Sequence, residues 1–299
     1  MSALSASVVS AIDDLELAAR LVVEGLRSGT HRSPLHGYTA EFSQHRSYRP
    51  GDDLKYLDWK ILGRTDRLYT RQFRETTSMS VMLVIDASGS MAFGAPVTKF
   101  RYASIVAAAL AHLIVTQGDG VGLMAMGGGP LTYLPVRSGR PHLRALLAQL
   151  KQLRPEGAWT PARAIARGAE LLKRRGVIVV LSDFYDAEDE TRRELRRAAR
   201  RGHDVAMLQV ISRSELTCPS AGEVEIEDLE SGARQLLDAG EAGAAYRDAV
   251  TDFVARCRRE AGRDGIDYAL LPTDAAPDRA LRAYLVARAA GAVAAVGLR

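Results

Sequence analysis

Two cysteines, Cys218 and Cys257, stand in a chain of 299 residues. They are too few and too far apart for a disulfide framework, a zinc site or a redox pair, so both read as reduced thiols. Histidine is scarce as well. His31, His36, His45, His112, His142 and His203 show no His-x-x-x-His or related spacing, which excludes the common zinc ligand sets. His112 falls in an apolar helical stretch and reads as a satisfied core histidine. No uninterrupted apolar run is long enough to span a bilayer. The opening residues, MSALSASVVSAIDDLELAARLV, carry acids where a secretory leader carries bases, so a cytoplasmic protein without a transmembrane segment is expected. No Gly-x-x-x-x-Gly-Lys-Ser/Thr loop and no Gly-x-Ser-x-Gly elbow occurs, which argues against P-loop nucleotide binding and α/β-hydrolase chemistry. Neither sign of charge dominates: 40 Lys and Arg face 36 Asp and Glu, a net charge of +4 that does not by itself demand nucleic acid. A hydrophobic share of 47% and a charged share of 25% fit an ordinary globular protein of one large domain or two modest ones.

What is present is a regular alternation. Residues 12–27 have helical apolar spacing and stop at Gly29. From there to about 77 the chain is polar, rich in Arg, Asp and aromatics, and reads as an irregular but ordered extension packed on the main domain. From 78 onward strands at 80–86, 177–181, 204–211 and 268–271 alternate with helices at 100–116, 141–153, 161–174, 187–201 and 244–262, with a last helix from 278. A strand pair surrounds the turn Gly127-Gly128-Gly129-Pro130, and a hairpin spans 224–238. This predicts an α/β fold, a mostly parallel sheet with helices on both faces. The expected division is 1–77 for the helix and extension and 78–299 for the α/β domain.

The stretch 81–90, VMLVIDASGS, carries the chemistry. An apolar strand runs into Asp86, Ser88 and Ser90 at alternating positions, a compact set of hard oxygen ligands of the kind Mg²⁺ takes. Thr160, at the loop-to-helix junction GAWTPARAI, and Asp183, ending the apolar run GVIVVLSDF, would reach the same sheet edge if both runs are parallel strands. That edge is where open α/β sheets bind ligands. Together the five residues resemble the metal-ion-dependent adhesion site of von Willebrand factor A domains: Asp-x-Ser-x-Ser, then Thr, then Asp. The resemblance implies a von Willebrand A-like, Rossmann-like sheet. It also implies a Mg²⁺ or Mn²⁺ held partly through water by Asp86, Ser88, Ser90, Thr160 and Asp183, with one position open to an acidic residue of a protein partner. Without the resemblance, Asp86 and Asp183 could cap loops and Thr160 could be only a helix N-cap.

A second block, 41–75, reads EFSQHRSYRPGDDLKYLDWKILGRTDRLYTRQFRE. Glu41, Phe42, Arg46, Tyr48, Gly51, Asp52, Asp53, Asp58, Trp59, Arg64 and Phe73, together with the Asp86 site, resemble a bacterial family numbered fifty-eight among the domains of unknown function. The likeness runs from about residue 29 to 284. It implies a von Willebrand A-like domain, work alongside a MoxR-type AAA+ ATPase, and a role in assembling or maturing other proteins. Many members carry transmembrane helices, which this chain does not show. Read from its residues alone, the block interleaves Arg46, Arg49, Lys55, Lys60, Arg64, Arg67, Arg71 and Arg74 with Asp52, Asp53, Asp58, Asp66 and Glu75. That mixture reads as an internal salt-bridge lattice, with a docking or phosphate-binding surface as the alternative.

Arg192, Arg193, Arg196, Arg197, Arg200 and Arg201 form a basic ridge, read as a solvated helix face with pairs Glu188–Arg192 and Asp189–Arg193. The functional expectation is a non-enzymatic, metal-dependent protein-interaction module, with no nucleic acid expected. Two rivals remain open. One is a Mg²⁺-dependent phosphohydrolase using Asp86 as nucleophile, for which Lys99 is the one nearby lysine. The other is nucleic-acid binding through the Arg-rich surfaces.

Overall fold

The computed structural model describes residues 5–27, 41–49, 57–74, 79–127, 130–158, 161–172, 174–185, 188–217, 223–227 and 234–289. Residues 1–35 group with 80–299 in one compact unit, and 36–79 form another. The N-terminal helical stretch therefore belongs with the α/β domain and not with the extension, so the expected division at 77 is replaced by boundaries at 35 and 79. The helix expected over 12–27 is α2 (Leu15–Arg27), and a short helix not anticipated, α1 (Ala6–Ser10), precedes it. Asp14 sets the start of α2: its Oδ1 accepts from the Glu16 N–H at 2.9 Å and the Leu17 N–H at 3.4 Å, an N-terminal cap.

The smaller unit is more regular than its composition suggested. Strands β1 (Glu41–Ser47) and β2 (Tyr69–Arg74) pair antiparallel, and helix α3 (Trp59–Thr65) lies between them in sequence. Asp58 caps α3, accepting from the Ile61 N–H at 3.2 Å, while its own N–H donates to the Tyr69 carbonyl at 2.9 Å. These strands were hidden because charged residues fill the positions where an apolar alternation would show. Of the expected salt-bridge lattice, the side chains of Arg46, Asp52, Asp53, Lys55, Lys60, Arg71, Arg74 and Glu75 lie outside the described residues.

The larger unit begins with β3 (Ser80–Ala87), a 3-10 turn at Gly89–Ala92, α4 (Lys99–Thr116), β4 (Gly120–Gly127), β5 (Thr132–Arg137) and α5 (Arg140–Gln152). It continues with α6 (Pro161–Leu171), β6 (Val177–Ser182), α7 (Glu188–Arg200), β7 (Asp204–Ile211) and α8 (Arg213–Thr217). Then come β8 (Glu223–Glu227), β9 (Arg234–Asp238), α9 (Ala239–Arg263), β10 (Asp267–Pro272) and α10 (Pro277–Ala289). Six strands form one sheet in the order β10-β7-β6-β3-β4-β5, all parallel except the β5 edge. Pro135 sits in that edge strand, where a missing N–H is tolerated. β8 and β9 form the expected hairpin.

Each central strand is buried on both faces and reads as a continuous apolar run. Met82 and Val84 point with Ile178 and Val180 into a core closed by α6, α7 and α9. The opposite face is covered by α4, which is itself overlaid by α1, α2 and α10. That double coverage explains why α4 is apolar nearly all round. By length and composition α4 could cross a membrane, but here its surface is taken up by the sheet and by these helices. Arginines fasten the outer helices. Arg101 donates to the Ser10 carbonyl at 3.3 Å and to that of Ile12, and Arg282 donates to the Gly25 carbonyl.

Two side-chain expectations are corrected. His112 is half-buried with its Nδ1 unpaired, not satisfied, and burial holds its pKa below the ordinary value. On α7 the expected Asp189–Arg193 side-chain pair is absent: Arg193 donates to the Asp189 carbonyl, and Arg192 reaches Asp189 at 3.8 Å. Arg192 and Arg196 turn inward to Glu260 of α9 and to Asp264, just past its end, at 2.6 and 2.8 Å. Two of the six ridge arginines thus tie α7 to the C-terminal end of α9 and the residue after it. Cys257 is buried and in no disulfide, while Cys218 lies outside the described residues.

Gly127 ends β4 in register with Ala87. A Cβ there would run into the Ala87 carbonyl and lie 3.0 Å from the Glu156 oxygen, both backbone groups that cannot swing away. Gly127→Ala should therefore cost about 2 kcal/mol or more. Urea unfolding midpoints measure this; a loss below about 0.5 kcal/mol contradicts the packing described here.

Candidate metal and partner site

Counted from β3, the sheet has the doubly wound order 3-2-1-4-5-6, so the chain reverses direction between β3 and β6. Asp86 lies near the carboxyl end of β3, and Asp183 follows β6 directly. The two carboxylates predicted to share a sheet edge therefore flank the crevice that such a reversal opens. Ser88 and Ser90 follow Asp86 in the 3-10 turn region, and their hydroxyl oxygens stand 3.1 Å apart. Thr160 lies outside the described residues, but its chain neighbours are tied to this loop. The Glu156 N–H donates to the Ala87 carbonyl at 2.9 Å, the Gly89 N–H donates to the Gly157 carbonyl at 2.8 Å, and α6 begins at Pro161.

Asp86 is 1% exposed. Its Oδ1 accepts from the Ser88 N–H at 2.9 Å and its Oδ2 from the Ser182 hydroxyl at 2.5 Å. These donors are neutral. Burial, and then the charge of Asp183, push the Asp86 carboxyl from 3.8 up to about 7, with the hydrogen bonds from Ser182 and Ser88 pulling the other way. A buried carboxylate beside a second one, oriented by neutral donors and adjoined by two converging hydroxyls, fits a small hard cation. Among the described residues no cluster of three or more His, Cys, Asp or Glu side chains is set to hold a metal, so hydroxyls and water would have to complete the sphere.

Asp183 is held differently. Its Oδ1 accepts from the Tyr185 N–H at 3.2 Å and its Oδ2 from Lys99 Nζ at 2.7 Å. Lys99 also donates to Glu215 Oε1 at 2.7 Å and lies 5.0 Å from the Tyr185 ring centroid. Burial alone would lower the Lys99 pKa, but Asp183 and Glu215 more than offset it, and the pKa rises. Glu215 is raised by its own burial, with Lys99 opposing. Directly after Asp183, Phe184 takes a left-handed φ of 61°, a conformation that costs a bulky residue about 1–2 kcal/mol. Its N–H bonded to Ser182 Oγ at 2.9 Å and its ring buried in the core hold it there. Behind the loop, Tyr268 donates to Gln209 at 2.6 Å, and Gln209 donates to the Asp183 carbonyl at 2.9 Å.

The sequence reading placed Asp86, Ser88, Ser90 and Asp183 correctly at one edge, and missed Ser182, Glu215, Gln209 and Tyr268. Lys99 entered it only as a phosphate-binding candidate. Glu215 did carry a signal, since Ser212-x-x-Glu215 is a capping box, and its Oε2 accepts from the Ser212 N–H at 2.6 Å. A capping box, however, predicts only a local bond.

Sheet order and site together define the class of this domain: a doubly wound, mostly parallel α/β sheet of the expected von Willebrand A-like kind, with oxygen donors gathered at its switch point. Residues 44–260 match the family described as "Protein of unknown function DUF58", and the chain belongs to that family. It is 28% identical over 263 residues to the uncharacterised protein Rv1480 of Mycobacterium tuberculosis, covering 84% of this chain and 82% of that one. Among solved structures it is similar to the hypothetical protein BatB of Bacteroides thetaiotaomicron, at 16% identity and a TM-score of 0.46, over 72% of this chain and 100% of that one. It is similar also to the VWA domain of SpRpn10, at 15% identity and a TM-score of 0.43, over 69% and 94% of the two chains. The fold class rests on the sheet itself.

The state of Asp86 has a pH consequence. With its folded pKa raised from 3.8 to about 7, the stability it contributes is full below about pH 3.8 and is lost as the pH rises through 7. In chelator, Asp86→Asn should gain on the wild type by about 1–3 kcal/mol between pH 5 and pH 8. Denaturant melts at both pH values test this; a difference between the two proteins that does not change with pH contradicts it.

Proposed function

We propose that this chain is a non-enzymatic, metal-dependent protein-interaction module. Asp86, Ser88 and Ser90 would hold a Mg²⁺ or Mn²⁺, with Thr160 and Asp183 acting through water. A cation bound there supplies an electrophilic position for an acidic side chain of a partner. The observation that carries this reading is the pairing of buried Asp86 with neutral donors only, beside a second carboxylate, at the switch point of the sheet. In so desolvated a place, a partner carboxylate would bind more strongly than in a surface ion pair. The family resemblance makes a MoxR-type AAA+ ATPase in the cytoplasm the first partner to test, with the chain serving it as an adaptor in assembly or maturation.

The phosphohydrolase reading loses its main support in Lys99. The lysine needed to steady a phosphate is instead bonded to Asp183 and Glu215, and it is 1% exposed. Nucleic-acid binding is weakened likewise, because Arg192 and Arg196 are engaged with Glu260 and Asp264.

A pull-down of the ATPase with the tagged protein, in Mg²⁺, in chelator, and as Asp86→Ala in Mg²⁺, tests the reading. Loss of a group that only orients a metal ligand costs about 10–100-fold in metal affinity, so loss of a ligand should weaken partner binding by more than about 100-fold. The ATPase should be retained only by the wild type in Mg²⁺. Equal retention in all three lanes contradicts metal-bridged binding.

A further inference from the structure

Lys99 is the only cationic side chain in hydrogen-bond contact with the site's carboxylates among the described residues. It stands at the first position of α4, next to the cap Thr98, in a helix otherwise nearly devoid of charge. Its ammonium is 1% exposed, bonded at 2.7 Å to both Asp183 Oδ2 and Glu215 Oε1. It also lies near the rings of Tyr185 and Phe93, at 5.0 and 5.8 Å from their centroids. A lysine so enclosed cannot serve solvent or a bulky ligand. Its chemistry is directed inward, to one carboxylate of the metal site and one outside it.

We infer that Lys99 is a positioning residue that keeps Asp183 out of direct metal coordination and so leaves the bound cation short of negative charge. This rests on the function proposed above. A doubly charged cation facing only the Asp86 carboxylate retains net positive charge and attracts a third party's carboxylate. Facing Asp86 and Asp183 together it would be neutralised from within, binding more tightly and attracting a partner less. Lys99 holds the balance on the side of the partner. With Asp183 Oδ1 on the Tyr185 N–H and Oδ2 on Lys99, both oxygens of Asp183 are already engaged before any cation arrives. Glu215 keeps the lysine in place, and its own Oε2 is fixed by the Ser212 N–H, so the restraint is anchored in the capping turn of α8.

Calorimetric titration of metal-free protein with Mn²⁺ tests this through a double-mutant cycle on the wild type, Lys99→Met, Asp183→Asn and the double variant. Lys99→Met should tighten Mn²⁺ binding about tenfold or more, because Asp183 is released to the metal. Asp183→Asn alone should weaken binding by no more than the roughly 10–100-fold that losing a group acting through water costs, and the gain from Lys99→Met should vanish on the Asp183→Asn background. A gain that persists in the double variant shows that Lys99 acts only through its charge and overturns the inference. So does a loss well beyond about 100-fold in Asp183→Asn alone, which would make Asp183 a direct ligand already. If the wild type itself binds no Mn²⁺, the proposed metal site fails, a result distinct from either of these. Thermal melts check folding of each variant. Should Lys99→Met not fold, Lys99→Met/Glu215→Gln, which removes one buried charge of each sign, replaces it in the same cycle with the same expected result.

Discussion

Three carboxylates, those of Asp86, Asp183 and Glu215, are buried at one edge of the sheet with a single lysine among them. Burying charge is expensive unless each charge is paired and its remaining hydrogen bonds are made. Lys99 serves two of the three. Among the described residues, Asp86 is bonded by a backbone N–H and a serine hydroxyl and by no cation. Its carboxyl answers by rising to about 7, the response of a group taken from water without a counter-ion. The unbalanced charge is thus localised on the residue that leads the Asp-Ala-Ser-Gly-Ser loop, and a cation is the ligand that would balance it.

The scaffold is built to hold this imbalance in place. β3 occupies the middle of the sheet, and its partners β4 and β6 run parallel to it, so the Asp86 loop projects from a rigid centre. The Gly127 contact and the bonds from residues 156 and 157 close the loop on one side. On the other, the left-handed Phe184 and the Tyr268–Gln209 relay fix the backbone around Asp183. The two sides differ in kind. One carries the Ser88 and Ser90 hydroxyls, bonded to each other, while the other is locked by a buried ion network that reaches α8.

Much of this was legible in the residues. Strands with unbroken apolar runs, such as 81–85 and 177–181, announced a parallel sheet covered on both faces, and Asp86 and Asp183 fell at their ends as the alternation required. The small unit was not legible, because β1 and β2 carry charges where a half-buried strand would show its period. Apolar spacing started the first long helix at 12, whereas the Asp14 cap starts it at Leu15. The ion network could not be read either. Lys99 and Glu215 are separated by 116 positions, and nothing local in either segment encodes a bond across that distance. The inward turn of Arg192 and Arg196 escaped for the same reason, since helix spacing ranks neighbours on one helix and is silent about the next.

The most direct measurement is anomalous diffraction from crystals grown with Mn²⁺. The account predicts one Mn²⁺ peak bounded by the Asp86 carboxylate and the Ser88 and Ser90 hydroxyls, with Asp183 reaching it only through water and still bonded to Lys99. A Mn²⁺ directly bound by Asp183, or none at the Asp86 loop at saturating concentration, would contradict it.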